Sequence, residues 1–240
     1  MSLLLLPSGV EAETITYSGT VSYDGVHMGD SLYVAVIDTT GVDDVDLLAI
    51  QSYAPGAPPF SVGYSLDFDN EEVGSSLIIA SFLDVDGGGI EMLTGSDVFG
   101  WYAGTVTPTG VSSSGSQSGL DFDLPRAEIR GTVTFAPGQE WADIEFHTDA
   151  SCLGNEFRPT LELTSSGEYE VQGLYAGTYC VRADGEAKQG SVEVCFGDPN
   201  CETPTLITLG DTDIQTGVDL DFSVVGTEKI SWGGIKNRHP

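Results

Sequence analysis

Apolar residues in this chain come in short runs at alternate positions, separated by Gly, Asp, Pro and Ser. Examples are Thr14-Ile15-Thr16-Tyr17, Leu32 to Ile37, Leu77 to Leu83, Ala142 to Phe146, Tyr179 to Ala183 and Val192-Glu193-Val194. A period of two is that of a strand with one buried face. No stretch sustains a 3.6-residue apolar period behind a helix cap. Many short strands joined by turns predict an all-β sandwich or barrel rather than βαβ units.

The pattern occurs twice. Ser18-Gly19-Thr20-Val21-Ser22-Tyr23 matches Arg130-Gly131-Thr132-Val133-Thr134-Phe135, and Ser118-Gly119-Leu120-Asp121-Phe122-Asp123-Leu124 matches Thr216-Gly217-Val218-Asp219-Leu220-Asp221-Phe222. Ser76 to Asp84 similarly matches Gly177 to Asp184. The first pair is offset by 112 residues and the second by 98, so the first copy carries an insertion, placed near Asp84–Asp97. Two tandem β-domains are expected, over 13–124 and 126–224, each long enough for its own core. Pro125 between them reads as a hinge, because proline cannot donate to a ladder.

The second copy reads Ile129-Arg130-Gly131-Thr132-Val133, then Gly167-Glu168-Tyr169-Glu170-Val171, then Ala176-Gly177-Thr178-Tyr179-Cys180-Val181. It resembles the carboxypeptidase regulatory-like, or prealbumin-like, sandwich of secreted bacterial proteins, which opens on a G-x-V strand and places a G-x-Y-x-V strand after a turn. The first copy resembles a variant with a D-x-D-G-x-G insertion, here Asp84 to Gly89, followed by Gly95 to Tyr102. The likeness implies two tandem Ig-like or prealbumin-like antiparallel β-sandwich domains of seven strands each. It also implies a non-catalytic accessory role.

Charge narrows the partners. The 240 residues carry 37 acidic and 8 basic side chains, for a net charge of −29. Nucleic acid is excluded as a partner, since phosphate binding needs Lys and Arg, and an anionic membrane surface is disfavoured. Residues 1–125 hold 18 carboxylates and no Lys or Arg. Such a half tolerates self-repulsion, binds cations or works in high salt. No apolar run approaches the ~20 residues of a membrane helix.

Both ends differ from the repeats. Leu3 to Leu6, followed by Val10-Glu11-Ala12, reads as the remnant of a signal peptide over 1–12, without a basic n-region. The segment 225–240 is basic, with Lys229, Lys236 and Arg238 against Glu228, and contains Ile230, Trp232 and Ile235. It resembles a W-G-x-I-K ending of secreted bacterial proteins. Its two readings are a docking or sorting segment and a frayed terminus.

Cys152, Cys180, Cys195 and Cys201 all lie in the second half. In an exported chain an even number implies disulfides. The turn-rich Phe196 to Asn200 suits a small loop closed by Cys195 and Cys201, which leaves Cys152 with Cys180. Zinc is the alternative, although no CxxC pair occurs.

The clearest candidate site is Asp84-Val85-Asp86-Gly87-Gly88-Gly89-Ile90-Glu91, with Asp97 beyond it. Calcium takes 6–8 oxygens, and alternate aspartates in a Gly-rich turn converge on one ion. The start resembles an EF-hand or dockerin loop but departs from it, with Gly88 and Gly95 where oxygen ligands belong. Asp84, Asp86, Glu91 and Asp97 are therefore the expected calcium ligands, against the alternative of a plain Asp/Gly turn. Asp67 and Asp69 offer a lesser second site, while Asp121 and Asp123 are expected to face solvent.

Trp101 and Tyr102 offer an aromatic platform for sugar, against the alternative of core filling. His27, His147 and His239 have no ligand-spaced partner, and His147 is expected on a strand surface. No nucleophile elbow occurs, so no enzymatic activity is expected. The function expected is that of a secreted or cell-surface structural or adhesive module of a bacterium, possessing a calcium-stabilised loop. Its partners would be extracellular protein or polysaccharide, and the chain itself a monomer. A carbohydrate-binding accessory module is the alternative.

Overall fold

The computed structural model describes residues 13–39, 46–69, 77–89, 94, 96–104, 110–152, 161–187 and 190–224. The expected signal remnant, Glu91 and the C-terminal segment lie outside the described residues.

The first half forms β1 (Thr14–Tyr23), β2 (Ser31–Asp38), β3 (Asp46–Tyr53), β4 (Phe60–Asp69), β5 (Leu77–Asp84), β6 (Val98–Trp101) and β7 (Phe122–Asp123). They build two sheets, β4-β1-β7 and β3-β2-β5-β6. Between the sheets Tyr17, Val21, Leu66, Phe68 and Phe122 meet Leu32, Val34, Val36, Ile79 and Leu83 in one core. The alternation seen in the sequence is the inward and outward pleat of these strands.

The second half forms β8 (Ala127–Thr134), β9 (Ala142–His147), β10 (Leu161–Leu163), β11 (Gly167–Leu174), β12 (Gly177–Ala187), β13 (Gly190–Cys195), β14 (Ile207–Leu209), β15 (Ile214–Gln215) and β16 (Leu220–Asp221). Sheet β11-β8, with β15 and β16 on the far side of β8, faces sheet β10-β9-β12-β13, with β14 on the end of β12. Ile129, Val133, Val171 and Leu220 pack against Ile144, Phe146, Val181 and Val194. The fold is thus two tandem all-β sandwiches. Among the described residues the first has seven strands, and the second adds β14 and β15 to the same plan.

The last strand of each sandwich runs parallel to the first, not antiparallel. Val21 pairs with Phe122, and Leu220 with Val133. The repeated glycines explain this closure. A Cβ on Gly19 would lie 2.3 Å from the Leu120 carbonyl oxygen, and one on Gly131 would lie 1.9 Å from that of Val218. Only glycine lets the closing segment cross so near. The tyrosine opposite each glycine locks the crossing. Tyr64, in register with Gly19, donates its hydroxyl to the Leu120 carbonyl at 2.7 Å. Tyr169, in register with Gly131, donates to the Val218 carbonyl at 2.7 Å. Gly119 and Gly217, which precede the two crossings, have φ of 72° and 75° respectively.

The expected hinge at Pro125 is instead a clamped joint. Pro125 is buried, and a Cβ on Gly100 would come within 2.8 Å of it. Leu124 N–H donates to the Ser22 carbonyl at 2.9 Å, tying the joint to the end of β1.

Candidate functional site

The Asp-rich loop begins where β5 ends. Gly87 and Gly89 take φ of 80° and 73°, and this left-handed backbone turns their amides inward. The Asp84 carboxylate accepts from Gly87 N–H at 2.7 Å and from Gly89 N–H at 3.1 Å. Asp97 accepts from Val85 N–H at 2.9 Å and Thr94 N–H at 2.7 Å. Asp86 accepts from Gly88 N–H at 3.0 Å and from the Thr94 hydroxyl at 2.7 Å. Three of the four expected ligands, Asp84, Asp86 and Asp97, bring a carboxylate oxygen each within 4.8 Å of one another. Asp84 and Asp97 are buried, at 3% and 1% exposure, and Asp86 is exposed. Burial raises the Asp97 carboxyl above its ordinary 3.8, and the charge of Asp86 adds to this against the hydrogen bonds from Thr94 and Val85. Backbone amides thus bond both oxygens of Asp84 and of Asp97 and one oxygen of Asp86; each carboxylate oxygen has a second lone pair, which is what a hard cation would use.

Two contributors were not read from the sequence. Thr94 joins Asp86 to Asp97 through its hydroxyl. Asp30 stands beside Gly87, its carboxylate 3.4 Å from where a Cβ would be. Only the pairing of β2 with β5, with Ser31 opposite Asp84, brings it there.

Asp67 and Asp69 lie exposed on β4, and Asp67 accepts from the Thr16 hydroxyl at 2.7 Å. Asp121 and Asp123 face solvent while Phe122 faces the core.

The aromatic platform is corrected. Trp101 is 4% exposed and belongs to the core of the second sandwich although its strand belongs to the first. Its ring lies 5.4 Å from that of Tyr175 and 5.6 Å from that of Phe99. The Tyr175 hydroxyl accepts from Trp101 N–H at 2.8 Å and donates to the Trp101 carbonyl at 3.1 Å. A ring so enclosed offers no face to a sugar. Tyr102 is half-buried beside the first core.

Hydrogen-bonded and charged pairs flank the same joint. His27 Nε2 lies 2.7 Å from Glu128 Oε1, and Arg130 lies 2.6 Å from the other oxygen of that buried carboxylate. Arg126 pairs with Asp24 at 2.7 Å.

The cysteines pair as Cys152–Cys180 and Cys195–Cys201, with Cα separations of 5.5 and 5.0 Å. No free thiol is left for zinc. Both bridges lie on the outer face of the β9-β12-β13 sheet, beside a charged network. Arg182 contacts Glu145 at 2.5 Å and Asp184 at 3.0 Å, and donates to the Cys152 carbonyl at 2.9 Å. His147 joins through Glu145 at 3.0 Å. His147 is therefore buried, at 2% exposure, rather than displayed on the strand surface.

These features define a tandem sandwich with an aspartate-lined loop on one half and a disulfide-stapled face on the other. No protein-family model and no curated protein sequence matches the chain. Solved structures resemble it distantly. An alternative pilotin from the type II secretion system of Vibrio cholerae is 17% identical, with a TM-score of 0.32, over 46% of this chain and 96% of that one. The tip fimbrial protein Mfa3 from Porphyromonas gingivalis is 8% identical, with a TM-score of 0.33, over 77% of this chain and 82% of that one. A streptococcal ancillary pilin is 14% identical, with a TM-score of 0.24, over 86% of this chain and 62% of that one.

Proposed function

We propose that the protein is a non-catalytic, force-transmitting structural or adhesive module of a secreted or cell-surface bacterial assembly. One observation carries this reading. The chain enters each sandwich at one pole and leaves at the other, with the closing segment bonded in parallel along the opening strand. In the first sandwich Gln117 N–H donates to Thr16, Leu120 N–H to Ser18 and Leu124 N–H to Ser22. In the second, Glu128 N–H donates to Asp213 and Val218 N–H to Arg130, and Asp219 accepts from Thr132 N–H at 2.9 Å. Tension applied along the chain loads these bonds in shear, so they must break together. Disulfides suit an oxidising exterior. A sugar-binding role is not favoured, because Trp101 is enclosed in the joint.

The test is single-molecule pulling on the full chain. Pulling from the two ends should require higher unfolding force than pulling from handles at adjacent strand ends, which unzips the sheets. Equal forces in the two geometries would sink the reading.

Within this reading Asp84, Asp86 and Asp97 hold calcium, which neutralises a carboxylate group in a half without Lys or Arg. A ligand specific to the folded state adds about 2.7 kcal/mol at 100 times its Kd. Millimolar calcium should raise the melting temperature over that in EDTA, and Asp86→Ala should abolish the rise. An equal response in wild type and variant would reduce the loop to a hydrogen-bonded turn.

A further inference from the structure

Strand β3 is an edge of its sheet, paired only with β2 among the described residues. Every second residue of such a strand turns its N–H and C=O to the open side. Natural edges are blunted by shortness, lysine or proline. The equivalent edge of the second sandwich, β10, is blunted by its length of three residues. β3 has eight residues, Asp46-Leu-Leu-Ala-Ile-Gln-Ser-Tyr53, and neither lysine nor proline. A bulge disturbs its start, but Ala49–Tyr53 runs in unbroken register with Leu32–Val36. Leu47 and Ile50 stand 54% and 39% exposed on it.

The segment 226–240 supplies the complementary chemistry. Its Lys229, Lys236 and Arg238 answer an N-terminal half that has 18 carboxylates and no cation, with Asp43, Asp44 and Asp46 leading into β3. Lys229-Ile230-Ser231-Trp232 alternates charged or polar with apolar residues, the pattern of an added strand with anchors on one face. The same molecule's segment leaves from the pole of the second sandwich away from the joint, whereas β3 belongs to the first sandwich. β16 pairs at Val133 and Thr134, the end of β8 away from the joint. Ala127 and Thr134 are separated by about 23 Å of strand at ~3.3 Å per residue, whereas the chain from Val224 to Lys229 spans at most about 18 Å. We infer that β3 accepts the Lys229–Arg238 segment of a second copy of this chain, so that copies join head to tail. Such a contact is heterologous and propagates unless a ring closes. It replaces the expectation of a monomer and deepens the proposed structural role by naming a partner. The pulling experiment reads single molecules, so either idea fails without the other.

The test is sedimentation velocity on the full chain at low salt over a range of concentrations. The expected result is concentration-dependent association that weakens with salt, as contact between opposite charges requires. Trp232→Ala and Ile50→Lys should each sediment as a monomer with an unchanged melting temperature. If Ile50→Lys lowers the melting temperature, Ile50→Ser replaces it. Mixing the two variants should give a dimer and nothing larger, because one keeps the acceptor edge and the other keeps the donor segment. A wild type monomeric at every concentration would overturn the proposal. So would association that survives both substitutions, or a mixture that stays monomeric.

Discussion

Asp184 shows how one residue's surroundings set a pH response. It sits on the outer face of β12, 3.0 Å from Arg182. Burial pushes its carboxyl up to about 6 from an ordinary 3.8, Arg182 opposing and the charges of Glu145 and Glu193 adding. The folded chain therefore holds this proton more firmly than the unfolded chain does. The resulting stability is full below about pH 4 and is lost as pH rises through about 6. Asp184→Asn removes the group that titrates. Melting temperature measured against pH should fall less between pH ~4 and ~6 in the variant than in wild type. Parallel profiles would show that other groups set the acid response. The sequence disclosed little of this network. Alternation with Phe146 set His147 on the outward side of β9, but it cannot report that a disulfide-tethered turn covers that side and buries it. Arg182 reaching the Cys152 carbonyl is the contact that does so.

At the scale of elements, the disulfides divide the molecule. Both bridges lie in the second sandwich, closing sequence separations of 28 and 6 residues. The chain-entropy argument assigns them about 3–4 and about 2 kcal/mol respectively. Reduction should therefore speed amide exchange most in β9, β12 and β13, and reach β1, β4 and β5 only through the shared unfolding of the joined halves. Exchange in β9, β12 and β13 that is unchanged by reduction would show that the bridges add nothing to the stability of their own sheet. The strands themselves were legible because the same residues do the same work twice: Gly19 and Gly131 admit the closing segment, and Tyr64 and Tyr169 fasten it. A repeated physical device leaves a repeated sequence. The parallel direction of that segment left no such trace, since the two-residue period is identical in parallel and antiparallel ladders. The Asp-rich loop was legible in its carboxylates, whose spacing is local. Asp30 was not, because a strand pairing across the sheet delivers it.

The whole molecule depends on what happens to Trp101. An aromatic residue after an alternating strand reads equally as a surface platform or as core, and only the approach of a second domain decides. Here β6 delivers the indole into the core of the other sandwich, with Ile78 and Phe99 packed beside it. Burial pushes the Tyr175 hydroxyl up to about 12, so it remains protonated and able to donate to the Trp101 carbonyl while accepting from its N–H. Glu128, held between His27 of the first half and Arg130 of the second, adds a hydrogen-bonded contact across the joint. Two sandwiches joined in this way should unfold as one unit. Calorimetry of wild type should show a single transition, and Trp101→Ala should split it, with a cost of about 3–5 kcal/mol for removing so large a buried side chain. Tyr175→Phe keeps the ring and loses both bonds to the Trp101 backbone, so it tests the joint without opening a cavity. It should lower the coupling and broaden the solution-scattering profile as the two halves begin to move against one another. If both variants keep one transition and the wild-type scattering curve, the sandwiches are held by something other than this contact, and force would not pass through the joint as a rigid link.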